Sequence, residues 1–166
     1  MSRQGTGRKP TLQAKLGENR ADFYTVGYEK LKVEDLFTLL RGAGVHCLAD
    51  VRDTPWSRVP AYRKAALEEK LIDLGGASGY EIRYVSMPSL GNPKEIRKSD
   101  RAVAEMLALY RPHVMSKARE LEELRAIIMK HKTALLCYEA DPAGCHRTVL
   151  AGVVAEKYGL TYMDLR

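Results

Sequence analysis

Three observations predict an α/β fold: a three-layer build, with a mostly parallel sheet of about five strands and helices on both faces. Short apolar, β-rich runs alternate with helix-length amphipathic stretches from Phe23 onward. The segments between runs are long enough for crossovers rather than hairpins. Turns containing glycine and proline punctuate the pattern.

The elements follow in order. Phe23–Tyr28 (Phe-Tyr-Thr-Val-Gly-Tyr) reads as a first strand ending at a glycine turn. Val33–Arg41 places Leu36, Phe37, Leu39 and Leu40 at helical spacing and is stopped by Gly42 and Gly44. His46–Val51 reads as a buried second strand. Tyr62–Leu74 is a helix on Ala65, Ala66, Leu67, Leu71, Ile72 and Leu74, closed by Gly75-Gly76. Glu81–Met87 gives a third strand. Arg101–Lys130 is helical throughout, as two helices meeting near Pro112. Thr133–Tyr138 is the fourth strand, His146–Tyr158 a helix ended by Gly159, and Thr161–Leu165 a short last strand.

The chain has 166 residues, which fits one domain of the common size of about 100–150 residues. The expected division is a basic arm over 1–21 and one α/β domain over 22–166. No apolar run approaches the ~20 residues of a membrane span, and the polar, basic start is no secretory signal. Cys47, Cys137 and Cys145 are an odd, sparse set, which reads as reduced thiols in a cytoplasmic protein rather than a disulfide scaffold. The net charge is +6, and most of it sits in residues 1–20, where Arg3, Arg8, Lys9, Lys15 and Arg20 face Glu18 alone. The rest of the chain is too nearly neutral for a nucleic-acid surface by itself.

In open parallel sheets, ligands sit beyond the carboxyl ends of the strands, so polar residues just past each strand are the candidates. The richest segment is Leu135–Leu150. Its strand ends at Glu139, Asp141-Pro142-Ala143-Gly144 makes a turn, and Cys145 falls at the cap of the next helix, with His146 and Arg147 in its first turn. The free N–H groups and dipole there favour a Cys145 thiolate and an anion held by Arg147, with His146 as acid, base or orienting group. The competing reading is structural: Cys145 as a small hydrophobe, Arg147 paired with Glu139 or Asp141, and His146 packed. Basic residues in a first turn oppose the dipole and need a reason of their own.

Spacing tests the more specific chemistries. A phosphatase-like or sulfurtransferase-like loop needs Arg six residues after its Cys, but Ala143 and Ala151 occupy those positions. A haem site needs Cys-x-x-Cys-His, and Pro142 stands where its first Cys would be. Zinc through Cys137, Cys145 and His146 lacks a Cys-x-x-Cys pair and a fourth ligand, so no metal is expected. Cys47 and Cys137 read as core. At the second strand end, Asp50 is a candidate acid or base. Arg52 and Arg58 are candidates for phosphate or carboxylate, and Trp56, the sole Trp, for stacking on a ring. The alternative is an Asp–Arg pair fixing a loop over a buried Trp. Gly27-Tyr28-Glu29 follows the first strand, is too short for a dinucleotide fingerprint, and offers Tyr28 to the same site. Leu90-Gly91-Asn92-Pro93 is a turn or a lid.

In order, Tyr24-Thr25-Val26-Gly27-Tyr28, Leu48-Ala49-Asp50-Val51-Arg52, Ser57-Arg58-Val59-Pro60, Leu90-Gly91, and Cys137-Tyr138-Glu139 with Pro142 and Cys145-His146-Arg147 resemble the domain of unknown function 488 family. The resemblance implies a parallel α/β domain and site positions, without an established reaction or cofactor. Lys30 and Asn92 stand where that family often has glycine. The functional expectation is an enzyme or ligand-binding domain for a phosphate-bearing or nucleotide-like ligand at the strand ends. Two alternatives are a non-catalytic nucleic-acid-binding module using the basic arm, and an interaction domain whose polar cluster only knits its turns.

Overall fold

The computed structural model describes residues 21–98 and 100–166. Residues 1–20 of the basic arm, with the nucleic-acid contact expected of them, lie outside the described residues. Ala21, read as the last residue of the arm, is buried, and its carbonyl accepts a hydrogen bond from Lys132 Nζ.

The elements run β1 (Phe23–Gly27), α1 (Val33–Gly42), β2 (Cys47–Asp50), α2 (Lys64–Ser78), β3 (Arg83–Ser86), α3 (Val103–Met115), α4 (Ala118–Lys130), β4 (Thr133–Cys137), α5 (His146–Tyr158) and β5 (Tyr162–Leu165). The sheet has the order β3-β2-β4-β1-β5, and every neighbouring pair is parallel. Side chains alternate across it. Val26, Leu48, Ala134 and Leu136 pack under Leu36, Leu40, Leu67 and Leu71 of α1 and α2. Phe23, Ala49 and Leu135 face Tyr110, Leu124 and Leu150 of α3, α4 and α5. Such continuous apolar strands are what a sheet covered on both faces requires. None of the described helices is long and apolar enough to cross a membrane.

This topology places the site. The connections leaving β1 and β2 run over one face toward the β3 edge. Those leaving β3 and β4 run over the other face toward the β5 edge. The neighbours β2 and β4 therefore send their exits to opposite sides, which opens a crevice at their carboxyl ends. The register pairs Gly27 with Cys137 and Asp50 with Leu136, so Tyr28, Arg52 and Glu139 leave the sheet at one edge.

Two helix boundaries differ from the sequence reading. Helix α2 runs through Gly75-Gly76 to Ser78 and stops at Gly79, whose left-handed φ of 66° lets its N–H cap Gly75 O. Two interior glycines lower helix propensity but do not terminate a helix, whereas a glycine in the left-handed cap position does. Pro112 lies inside α3, and the break falls after Met115. Pro112 and Ala108, whose carbonyl loses its partner, are both on the exposed side, where the carbonyl is open to solvent and the helix can continue.

One contact fixes the crevice geometry. A Cβ on Gly27 would lie 1.8 Å from Glu139 O, so only glycine lets the exits of β1 and β4 come this close. Tyr28 N then donates to Cys137 O (3.1 Å) and Glu29 N to Tyr138 O (2.8 Å), extending the pairing past the strands. Gly152 in α5 is the converse case, with nothing within 4 Å of an added Cβ. In urea denaturation, Gly27→Ala is expected to cost about 3 kcal/mol by overpacking. Gly152→Ala is expected to add about 0.5–1 kcal/mol. Equal effects of the two would contradict the close approach at Gly27.

Candidate functional site

At the exit of β2, Asp50 and Arg52 form a buried ion pair. Arg52 donates from Nη2 to Asp50 Oδ2 (2.5 Å) and from Nε to Oδ1 (2.8 Å). Nη1 of Arg52 reaches Tyr28 Oη (3.1 Å) and Tyr62 O (2.9 Å). Asp50 also accepts from Tyr84 Oη (2.5 Å) and from the Arg52 N–H (3.1 Å). Four of the five guanidinium N–H groups and both carboxylate oxygens are thus engaged. Burial and the charge of Asp50 push the Tyr84 hydroxyl above its ordinary value, so it stays a donor. The Asp–Arg pairing of the sequence reading is present, but Trp56 is 58% exposed rather than buried beneath it.

At the exit of β4, the chain turns through Asp141–Gly144, with Asp141 Oδ1 accepting from Ala143 N (3.0 Å). Cys145 is the N-cap of α5, and its thiol makes no cap hydrogen bond. Its hydrogen bond with Cys137, and burial, push the Cys145 thiol far up, against the lowering expected from the helix dipole. Cys145 is fully buried and does not line the crevice; Cys137 does. The Cys137 thiol donates to Glu139 Oε2 (3.2 Å), and its sulfur lies 3.6 Å from His146 Nδ1. His146 Nε2 is 3.0 Å from Val51 O. That carbonyl can only accept, so Nε2 carries a proton and turns Nδ1 toward the sulfurs. The edge of the His146 ring meets Tyr110 at 5.1 Å. Burial opposes charge on both Glu139 and His146. Thiol hydrogen bonds and the His146 charge nonetheless bring Glu139 below the carboxylate range, and Cys145, Val51 O and Glu139 bring His146 up.

Arg147 stands apart from the crevice. It is fully buried, and its guanidinium donates to Glu139 O, Ala140 O (3.4 Å) and Asp164 Oδ1 (3.1 Å from Nη2). Asp164 accepts in turn from Thr25 Oγ1 (2.6 Å). This cluster ties β5 and β1 to the β4 exit, and supplies the reason for a cation in the first turn: peptide carbonyls and a carboxylate on the neighbouring elements.

The crevice is a cleft of about 580 Å³, within the range of small-molecule sites. Cys137, Glu139 and His146 form its floor, and Arg52 and Tyr28 one wall. Trp56, Arg58, Lys94 and Tyr138 stand around the mouth, where Arg58 and Lys94 have no ion-pair partner among the described residues. Arg97 is tied to Asp53 Oδ2 (3.2 Å) and Asn92 O (2.7 Å). Asn92 is buried, and neither its Nδ2 nor its Oδ1 has a partner among the described residues. The Leu90–Pro93 turn is a fixed wall rather than a lid. Tyr110 Oη donates to Leu90 O (2.6 Å), and a Cβ on Gly91 would lie 2.1 Å from Asp53 N.

Of the residues expected from the sequence, Tyr28, Arg52, Trp56, Arg58, Glu139 and His146 line the cleft, and Asp50, Cys145 and Arg147 do not. Cys137, read as core, and Lys94, not singled out, line it too, as does Asn92 of the Leu90–Pro93 turn. Strand parity held the signal for Cys137: it shares a face with Leu135, the face covered by α5. Lys30 has φ 66° in the turn after β1, a left-handed position that explains a preference for glycine there.

The topology defines a parallel α/β protein with a cleft at the switch point of its sheet. Residues 32–154 match the family described as Domain of unknown function DUF488, and the chain belongs to that family. No curated protein and no solved structure matches the chain.

The two roles of arginine separate by measurement. Arg147→Ala takes the buried cation from Asp164 and two carbonyls, leaving Asp164 only Thr25 Oγ1 and the exposed Arg166, and is expected to cost about 3–5 kcal/mol in chemical denaturation. Arg58→Ala, at an exposed position without partners among the described residues, is expected to stay within about 0.5 kcal/mol of the parent. A stable Arg147→Ala protein would contradict the clamp.

Proposed function

We propose that this protein is an enzyme or enzyme-like ligand-binding domain that takes a phosphate-bearing, ring-containing ligand of the nucleotide class in the strand-end cleft. One observation carries the reading. Two cations, Arg58 and Lys94, and the buried amide of Asn92, all unpaired among the described residues, converge with two exposed rings, Trp56 and Tyr138, on one concavity. Charge-assisted bonds from Arg58 and Lys94 suit a phosphate. Trp56 and Tyr138 suit the face of a base. The Asn92 amide, a donor and an acceptor side by side, suits a base or sugar edge, and a buried amide left unpaired otherwise costs stability. The ligand's far end would reach the floor at Cys137, Glu139 and His146. Asp50 and Arg52 shape the wall, since each is already bonded to the other.

Trp56 is the only Trp in the chain, so its fluorescence reports on the mouth of the cleft. Titration of the full chain with adenosine and uridine monophosphates is expected to give a saturable change, with the parent nucleosides binding more weakly. Arg58→Ala with Lys94→Ala is expected to weaken nucleotide binding about tenfold or more. Asn92→Ala is expected to weaken it without loss of stability. Nucleosides binding as tightly as nucleotides, or no response to either, would sink the reading.

A further inference from the structure

Cys137, Cys145 and His146 come together at the floor of the cleft although no Cys-x-x-Cys pair exists in the chain. Their Sγ, Sγ and ring-nitrogen atoms all lie within 4.8 Å of one another, and all three residues are buried. The Asp141–Gly144 turn achieves this by folding the start of α5 back onto the end of β4. The spacing test of the sequence looked for a chain-local pair, which this geometry does not need. It also found no fourth ligand; in the fold a carboxylate stands beside the three, with Glu139 Oε2 3.2 Å from Cys137 Sγ.

From this geometry we infer a divalent metal site of the zinc class, with Cys137, Cys145 and His146 as ligands and Glu139 in the fourth position. Three independent features support it. Metal–sulfur bonds of about 2.3 Å and metal–nitrogen bonds of about 2.0–2.1 Å, set tetrahedrally, put sulfur and nitrogen about 3.6 Å apart. Cys137 Sγ and His146 Nδ1 are 3.6 Å apart. His146 holds its Nε2–H on Val51 O at 3.0 Å, the outer hydrogen bond that fixes a ligating imidazole with its other nitrogen facing the ion. The donor set of two sulfurs, one imidazole and one carboxylate is borderline-soft and suits Zn(II) or Co(II) rather than Mg(II) or Ca(II). Cys137, Glu139 and His146 line the cleft, so an ion has a route in, and the site lies where a bound ligand would end.

The binding step balances simply. At a pH where His146 is neutral, the ion displaces one proton from each thiol and binds two thiolates, the imidazole and an existing carboxylate, so two protons are released per ion. The α5 N-terminus, capped by Cys145, offsets the remaining negative charge. Metal binding at this floor does not depend on the nucleotide reading of the mouth.

The test uses the reduced full chain, stripped with a chelator and titrated with Co(II). The expected result is one equivalent bound, with thiolate-to-cobalt charge transfer and the intense visible bands of a tetrahedral centre. Two protons are released per ion in weak buffer, and zinc displaces the cobalt. Cys137→Ser or Cys145→Ser is expected to lose the charge-transfer band, and Glu139→Gln to keep it while weakening binding and altering the visible bands. The wild-type titration needs no variant, so a variant that fails to fold does not blunt it. Absence of a thiolate band at one equivalent in the wild type, or its survival in both folded cysteine variants, overturns the site.

Discussion

The buried ion pair of Asp50 and Arg52 is the constraint from which the cleft follows. Two opposite charges in a protein interior gain little unless every remaining donor and acceptor is satisfied. Here Tyr84 Oη, Tyr28 Oη, Tyr62 O and the Arg52 N–H complete the shell. These partners come from β3, from the loop after β1, and from the turn before α2, so the pair holds three segments at the carboxyl edge of the sheet. Removing either member leaves an uncompensated buried charge. The wall is set by this requirement, and the aromatic stack of Tyr28 on Tyr62, with centroids 4.1 Å apart, lies against it.

A second cluster closes the other side. Arg147 gathers Glu139 O, Ala140 O and Asp164, and Gly27 admits Glu139 O against β1. The two buried arginines are therefore committed within the fold, one on each side of the crevice. Arg58 and Lys94, exposed at the mouth, remain free of ion pairs among the described residues. That division of labour separates architecture from recognition: an arginine whose N–H groups are already spent has little left for a ligand.

Much of this was legible in the residues. The period-2 runs and helical spacings located all five strands and the helices, because sheet and helix burial impose those periods directly. The placement of candidates beyond strand ends followed from the parallel topology. Which arginine is free did not, because Arg52 and Arg147 find their partners through tertiary contacts with Tyr28, Tyr62 and Asp164 that no local pattern encodes. The places of Cys137 and Cys145 were hidden for a similar reason. A strand-end cysteine reads as core until the register shows that the covering helix begins beside it, and at a helix cap the local pattern leaves a thiolate and a small hydrophobe equally open until the burial of Cys145 is known. Pro112 misplaced a helix break because a proline on a solvent-facing turn leaves the unpaired carbonyl open to solvent, where the helix can continue.

The Asp50–Arg52 wall, the Arg147 clamp and the Cys137–Glu139–His146 floor meet at the carboxyl ends of β1, β2 and β4, the face we propose as the working one. Amide and indole shift mapping by NMR, with adenosine monophosphate as the probe, tests that claim most directly. The account expects the largest changes at Trp56 Nε1–H, Arg58, Asn92 and Tyr138–Glu139. Changes confined to the opposite surface around Arg111 and Glu156, or none at saturating nucleotide, would contradict it.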